Sequence, residues 1–186
     1  MLKKLLVLLL VLFLAAFVIT ACGPTETVVY DEEEGEAISP KHGGILRSAY
    51  YAPTNMDPAF FGTVADDWMG KFFGDFLVYI DEQNVPDASR SIAESWEVDE
   101  DAKVWSFNLR QNVVFHDGKE MTASDVKFTF DRLRDPDVGA ATVGLYSNIA
   151  EISTPDDYTV VFTLTDSNPD FLFDLFDYHA VIVDAD

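Results

Sequence analysis

The amino-acid sequence predicts an α/β fold of the mixed α+β kind, and three local patterns carry the prediction. Trp105, Phe107 and Leu109 alternate with Ser106, Asn108 and Arg110. Tyr158, Val160, Phe162 and Leu164 alternate in the same way with Thr159, Val161 and Thr163. Period-2 spacing of this kind places one face of a strand in a core. Between the two strands, Val126, Phe130 and Leu133 recur at helical spacing behind Thr122 and Asp125, a pair with the interval of a capping box in which Asp stands for the usual Glu.

Taken in order, the chain opens with Lys3-Lys4 and a continuous apolar run from Leu5 to Ile19. That run is shorter than the roughly 20 residues a membrane-spanning helix needs and has the layout of an export leader. The expected division is a leader over residues 1–21, an acidic tether over 22–42 and a folded part over 43–186. Gly23 to Lys41 carries Pro24, Gly35, Pro40 and the run Glu32–Glu34 without sustained periodicity, so disorder is expected there and the charge run reads as solvated.

Gly43 to Tyr50 reads as a strand and Tyr51 to Pro58 as a loop. Val64 to Tyr79 reads as an amphipathic helix starting at Asp66-Asp67, whose Trp68, Phe72, Phe73, Phe76 and Leu77 are expected to pack in the core. Asp81 to Asn84 makes a turn. Trp96 and Val98 begin a strand that ends in the acidic turn Asp99–Asp101, and the strand of Trp105 follows. Gln111-Asn112 is a turn, Val113 to Phe115 a short strand and Asp117-Gly118 a strong turn dipeptide. Asp135-Pro136-Asp137 breaks the capped helix, and Val138 to Ser147 reads as a loop with a partial helix. Asn148–Ser153 and Tyr158–Leu164 form a hairpin turning at Thr154–Asp157. Ser167 and Asp170 repeat the capping interval, with Pro169 suited to a first helical turn, ahead of Phe171, Leu172, Leu175 and Phe176. Val181 to Val183 reads as a further strand.

Charge excludes one class of partner. The chain of 186 residues has a formal net charge of −21, and loss of Lys3 and Lys4 with the leader makes it more acidic still. Such a surface repels phosphate backbones, so nucleic acid is not a partner. The sequence has no Gly-x-Ser-x-Gly elbow, Gly-rich phosphate loop or His-Glu-x-x-His helix. His42, His116 and His179 have no metal-ligand spacing, and 33 Asp and Glu residues are too many for spacing to nominate a glycosidase pair. The sequence therefore nominates no catalytic residue, no metal site and no cofactor. Its one cysteine, Cys22, excludes an intramolecular disulfide.

Several short motifs agree in order and spacing: Ala93-Glu94-Ser95-Trp96, an acidic turn, Trp105-x-Phe107-x-Leu109-Arg110, Val113-x-Phe115-x-Asp117-Gly118 and Thr122-Ala123-x-Asp125-Val126. Together they resemble the extracellular solute-binding proteins of family 5, the peptide/nickel-type binding lipoproteins of ABC importers. The resemblance covers only the N-terminal portion of such proteins, and the chain reads as part of a longer one. It implies a periplasmic-binding-protein type II-like fold with a partial first lobe, and a monomer that traps an oligopeptide between two lobes and delivers it to transmembrane permease subunits. Nickel chelates and short oligosaccharides are other ligands of the family. In the family the first loop lies at the interlobe cleft, which makes Tyr51, Asn55 and Phe61 candidate ligand contacts. Read without the family, Phe61 is core and Asn55 caps a turn. Ala88–Ala93 is more polar than the Pro-x-Leu-Ala-x-Ser-Trp run of relatives.

Ile19-Thr20-Ala21-Cys22 resembles a bacterial lipobox, which implies cleavage before Cys22, acylation there and an extracytoplasmic protein anchored to the membrane. An uncleaved anchor helix and a soluble secreted protein are the alternatives. Two further classes compete with transport: an anchored hydrolase using paired carboxylates, and an adhesive or structural lipoprotein. Mass spectrometry of the mature amino terminus tests the lipobox. A diacylglyceryl group on Cys22 is the expected result, and an intact Met1 or an unmodified Cys22 overturns it.

Overall fold

The computed structural model describes Ile45 and residues 51–186. The leader, Cys22, the tether and all of the expected strand Gly43–Tyr50 except Ile45 lie outside the described residues. Residues 51–186 fall within one compact unit, Ser48–Asp186. Among the described residues no helix is long and apolar enough to cross a membrane.

Four strands, β1 (Ala93–Val98), β2 (Val104–Leu109), β3 (Ile149–Asp156) and β4 (Thr159–Leu164), make an antiparallel sheet in the order β1-β2-β4-β3. Trp105 lies opposite Phe162, and Phe107 opposite Val160. Ile152 also pairs with Phe162. The alternation read from the sequence thus puts Trp105, Phe107, Leu109, Val160, Phe162 and Leu164 on one buried face. Helix α1 spans Val64–Phe73, α2 Ala123–Arg134 and the one-turn α3 Phe171–Asp174.

Helix α2 lies against β3 and β4. Its Phe130 meets Phe162 edge to face at 5.2 Å, and Phe162 also packs on Phe107 at 5.6 Å and on Phe171 of α3 at 5.4 Å. One ring therefore joins two strands and two helices in an edge-to-face cluster. Arg134 pins the end of α2 to the sheet edge by donating to the Ile149 carbonyl at 2.8 Å. Asp125 accepts from the Thr122 amide at 2.8 Å and from its hydroxyl at 3.0 Å, the capping box expected from the sequence.

Several expectations need correction. The helix expected over 64–79 ends at Phe73, because the chain beyond Gly74 runs extended. Phe76 bridges Val181, and the amides of Ile92 and Ala93 donate to the carbonyls of Phe76 and Leu77. Phe76 and Leu77 are buried by strand-like pairing, and not on a helical face. The aromatics of α1 do not form core either: Trp68 is 51% and Phe72 65% exposed. The helix packs through small residues instead, and a Cβ on Gly70 would stand 2.8 Å from the ring of Phe61. Ser167 does not cap α3. The N-cap is Asp170, and Asn168 organises the turn by accepting from the Asp170 amide and donating to Asp174. The β3–β4 turn sits at Asp157-Tyr158, with Asp156 paired to Thr159 and a register shift across Pro155, which has no amide hydrogen to give the ladder. Val113–Phe115 and Val181–Val183 are held by single bridges and do not form full strands. Gly118, at φ +92°, makes the tight turn after Phe115.

The hub position of Phe162 gives a quantitative expectation. Phe162→Ala should lower stability by about 3–5 kcal/mol in chemical denaturation, whereas Phe173→Ala, at a side chain 45% exposed, should change it by no more than about 0.5 kcal/mol.

Candidate functional site

The loop that precedes α1 is fastened by side chains from three places. Thr63 and Asp66 form a capping box at the start of α1. The Asp66 carboxylate is fully buried and accepts well beyond its own helix. Its Oδ1 takes the Thr54 amide at 2.6 Å and, more weakly, the Asn55 amide at 3.5 Å. Its Oδ2 takes the Thr54 hydroxyl at 2.8 Å and the amides of Gly62 and Thr63 at 3.1 and 3.0 Å. Burial alone would raise the pKa of this carboxyl. The Gly62 amide, the hydroxyl and amide of Thr54 and the Thr63 hydroxyl outweigh it and hold the group well below its ordinary 3.8.

In the middle of the loop, Asn55 Oδ1 accepts the Asp57 amide at 2.9 Å, and Asp57 Oδ1 caps the short 3-10 turn Pro58–Phe60 through the Ala59 amide at 3.1 Å. The other oxygen of Asp57 meets Arg132 of α2 at 2.6 Å. At the far end, the Phe61 carbonyl contacts His179 Nε2 at 2.8 Å, while Nδ1 of the same ring meets Asp177.

The three candidate contacts fare differently. Tyr51 is 85% exposed and lines a hollow of about 410 Å³ with Thr54, Thr63 and Val64. Asn55 is half-buried, with its carbonyl engaged in the turn. Phe61 is 1% exposed and its ring packs beneath the loop against α1. Among the described residues, the hollow that Tyr51 lines is bordered by neither Asn55 nor Phe61.

A second concavity was not nominated from the sequence. A groove of about 270 Å³ is walled by Met56 and Pro58 of the loop, with Phe115 and Ile182 among its apolar residues and Asp75, His116 and Asp184 as its polar ones. Lys119 bridges Asp184 and Asp186 at 2.6 Å each. The Lys119 hydrogen bond holds the Asp184 carboxyl below the usual range. The wall at Val181–Asp184 is fastened to α2, where Thr129 Oγ1 accepts the Val183 amide at 3.1 Å and Asp125 the Ala185 amide at 3.0 Å. Met56 lies in a loop that the sequence marks. His116, Asp75 and Asp184 are far apart in the chain, and only the fold brings them together. Among the described residues no group of three His, Cys, Asp or Glu side chains could hold a metal ion. An apolar cleft with a few polar groups suits reversible binding of a small amphipathic molecule.

Comparison with known proteins finds similar chains among solute-binding proteins. The sequence model described as bacterial extracellular solute-binding proteins, family 5 Middle, matches residues 88–186. The dipeptide-binding protein of Escherichia coli strain K12 is 39% identical over 101 residues, which cover 45% of this chain and 19% of that protein. The periplasmic binding protein AgaA of A. tumefaciens R10, solved in complex with agropinic acid, superposes with a TM-score of 0.66 at 33% identity, over 72% of this chain and 27% of that one. The binding protein DppA of Helicobacter pylori, in complex with the peptide STSA, gives a TM-score of 0.63 at 27% identity, over 72% of this chain and 29% of that one. The chain spans about a fifth of the length of the curated relatives it matches.

Acid titration tests the Asp66 cluster. The folded carboxyl ionises below its unfolded value of 3.8, so its contribution is complete above that pH and is lost as pH falls through the folded pKa. Asp66→Asn should therefore be less stable than the wild type at pH 7, and the gap should narrow steadily below about pH 4. Denaturant midpoints compared between pH 2 and pH 7 read this directly.

Proposed function

This chain belongs to the bacterial extracellular solute-binding proteins of family 5, and we propose that it forms part of the substrate-binding component of an ABC importer. The observation that carries the proposal is the family match over residues 88–186, more than half of the chain. A peptide ligand is supported by the relatives, which are named as dipeptide- and di/tripeptide-binding proteins, and by the peptide bound in the Helicobacter pylori neighbour. The family consists of binding proteins, and the proposed cycle makes and breaks no covalent bond.

In the whole protein, a leader over residues 1–21 is removed, acylated Cys22 anchors the chain outside the cytoplasm, and residues 22–42 act as a tether. The domain from residue 43 onward supplies part of one lobe. An oligopeptide docks on the first loop, where the Tyr51 ring and the Asn55 side-chain amide meet it and Phe61 supports them from below. Binding favours the closed arrangement of two lobes because the ligand touches both only when they are closed. The monomeric closed form then docks on the permease and releases the peptide.

A ligand that binds the native state alone stabilises it by about 2.7 kcal/mol at one hundred times its Kd. Thermal unfolding of the mature protein should therefore shift upward with an equimolar di- and tripeptide pool. A shift with sugars or metal chelates alone would replace the peptide assignment. No shift with any of the three would overturn the binding-protein reading.

A further inference from the structure

The first loop is held at Thr54, at Asp57 and at Phe61 by the side chains of Asp66, Arg132 and His179. Asp66 ties Thr54 and Asn55 to the residues that begin α1, so one carboxylate gathers the amides of Thr54, Gly62 and Thr63. Arg132 reaches from α2 to Asp57, which itself closes the turn at Ala59. His179 meets the Phe61 carbonyl. Ahead of these ties the side chain of Tyr51, and between them that of Met56, remain outward, 85% and 60% exposed. Neither Asp66 nor Arg132 lines the groove or the hollow. Any influence of theirs on a ligand must pass through the shape of the loop.

We propose that Asp66 and Arg132 are positioning residues for ligand binding, holding the loop 51–61 in its ligand-ready shape so that binding does not have to order it. This rests on the reading above that the loop contacts the ligand. When a binding-competent shape is only partly populated, apparent affinity falls by that fraction. Loosening the loop until it is ready one-tenth of the time therefore raises Kd about tenfold. The weakening arrives as a less favourable binding entropy, because the ligand must then order the chain.

The test uses the mature protein, its Asp66→Asn variant and its Arg132→Gln variant, titrated calorimetrically with trialanine and with an equimolar dipeptide pool. All titrations run far below each melting temperature, with the folded fraction checked by circular dichroism. Each variant should bind about tenfold more weakly, with the loss in the entropy term. The Thr54 and Ala59 amides should exchange faster with solvent while those of Phe107 and Phe162 in the sheet keep their protection. Should Asp66→Asn fail to fold, Arg132→Gln decides the question through the same readouts. A role in stability alone lowers the melting temperature but leaves the Kd of folded protein unchanged, and that result overturns the proposal while leaving the peptide-binding reading intact. A wild type that binds neither probe overturns both.

Discussion

A buried carboxylate at the third position of a helix organises most of what surrounds the candidate site. The device occurs twice. Asp66 closes the capping box of α1, and Asp125 closes that of α2; both are essentially inaccessible to solvent. An ordinary capping box satisfies donors within its own first turn. Here each carboxylate has an oxygen left for a remote backbone amide, Thr54 for Asp66 and Ala185 for Asp125. A buried charge is tolerated only when its acceptor sites are filled. Helix formation and attachment of a distant segment are thereby one event: neither helix start is satisfied until the chain before or after it is in place.

The sheet and the aromatic cluster provide the rigid body to which those segments attach. Phe162 is its centre, since the same ring contacts Phe107, Phe130 and Phe171. Arg132 and Arg134, two residues apart near the end of α2, serve opposite directions. Arg134 holds the carbonyl of Ile149 at the edge of β3, and Arg132 holds Asp57 in the first loop. The loop thus takes its position from the same helix that packs on the core.

The sheet was legible because its strands announce themselves locally. Trp105, Phe107 and Leu109, and again Val160, Phe162 and Leu164, alternate, and the buried face follows from that alone. The box at Thr122 and Asp125 was equally local. Where the reading erred, a distant contact overrode local pattern. Trp68 and Phe72 look like the core stripe of a long helix, but α1 packs on Phe61 through Gly70, a close approach no aromatic permits, so the aromatics face outward. The box at Thr63 and Asp66 had the same three-residue signature as its counterpart and was hidden only by placing the helix start at Asp66 itself. The site was least legible. Tyr51 and Asn55 stand in a loop marked by family likeness, but the groove at Met56 joins His116, Asp75 and Asp184, residues with no common pattern in sequence.

Gly74 ends α1 with an ordinary extended backbone, φ −124°, so its lack of a side chain is not a matter of backbone freedom. A Cβ there would stand 2.1 Å from Cγ1 of Val181, and both residues border the groove. The span between the end of α1 and the Val181–Asp184 wall is accordingly set by a missing methyl group. Position 74 acts as a spacer of zero thickness: any side chain placed there translates into displacement of the wall, and the aperture of the groove is gauged where two of its own lining residues meet.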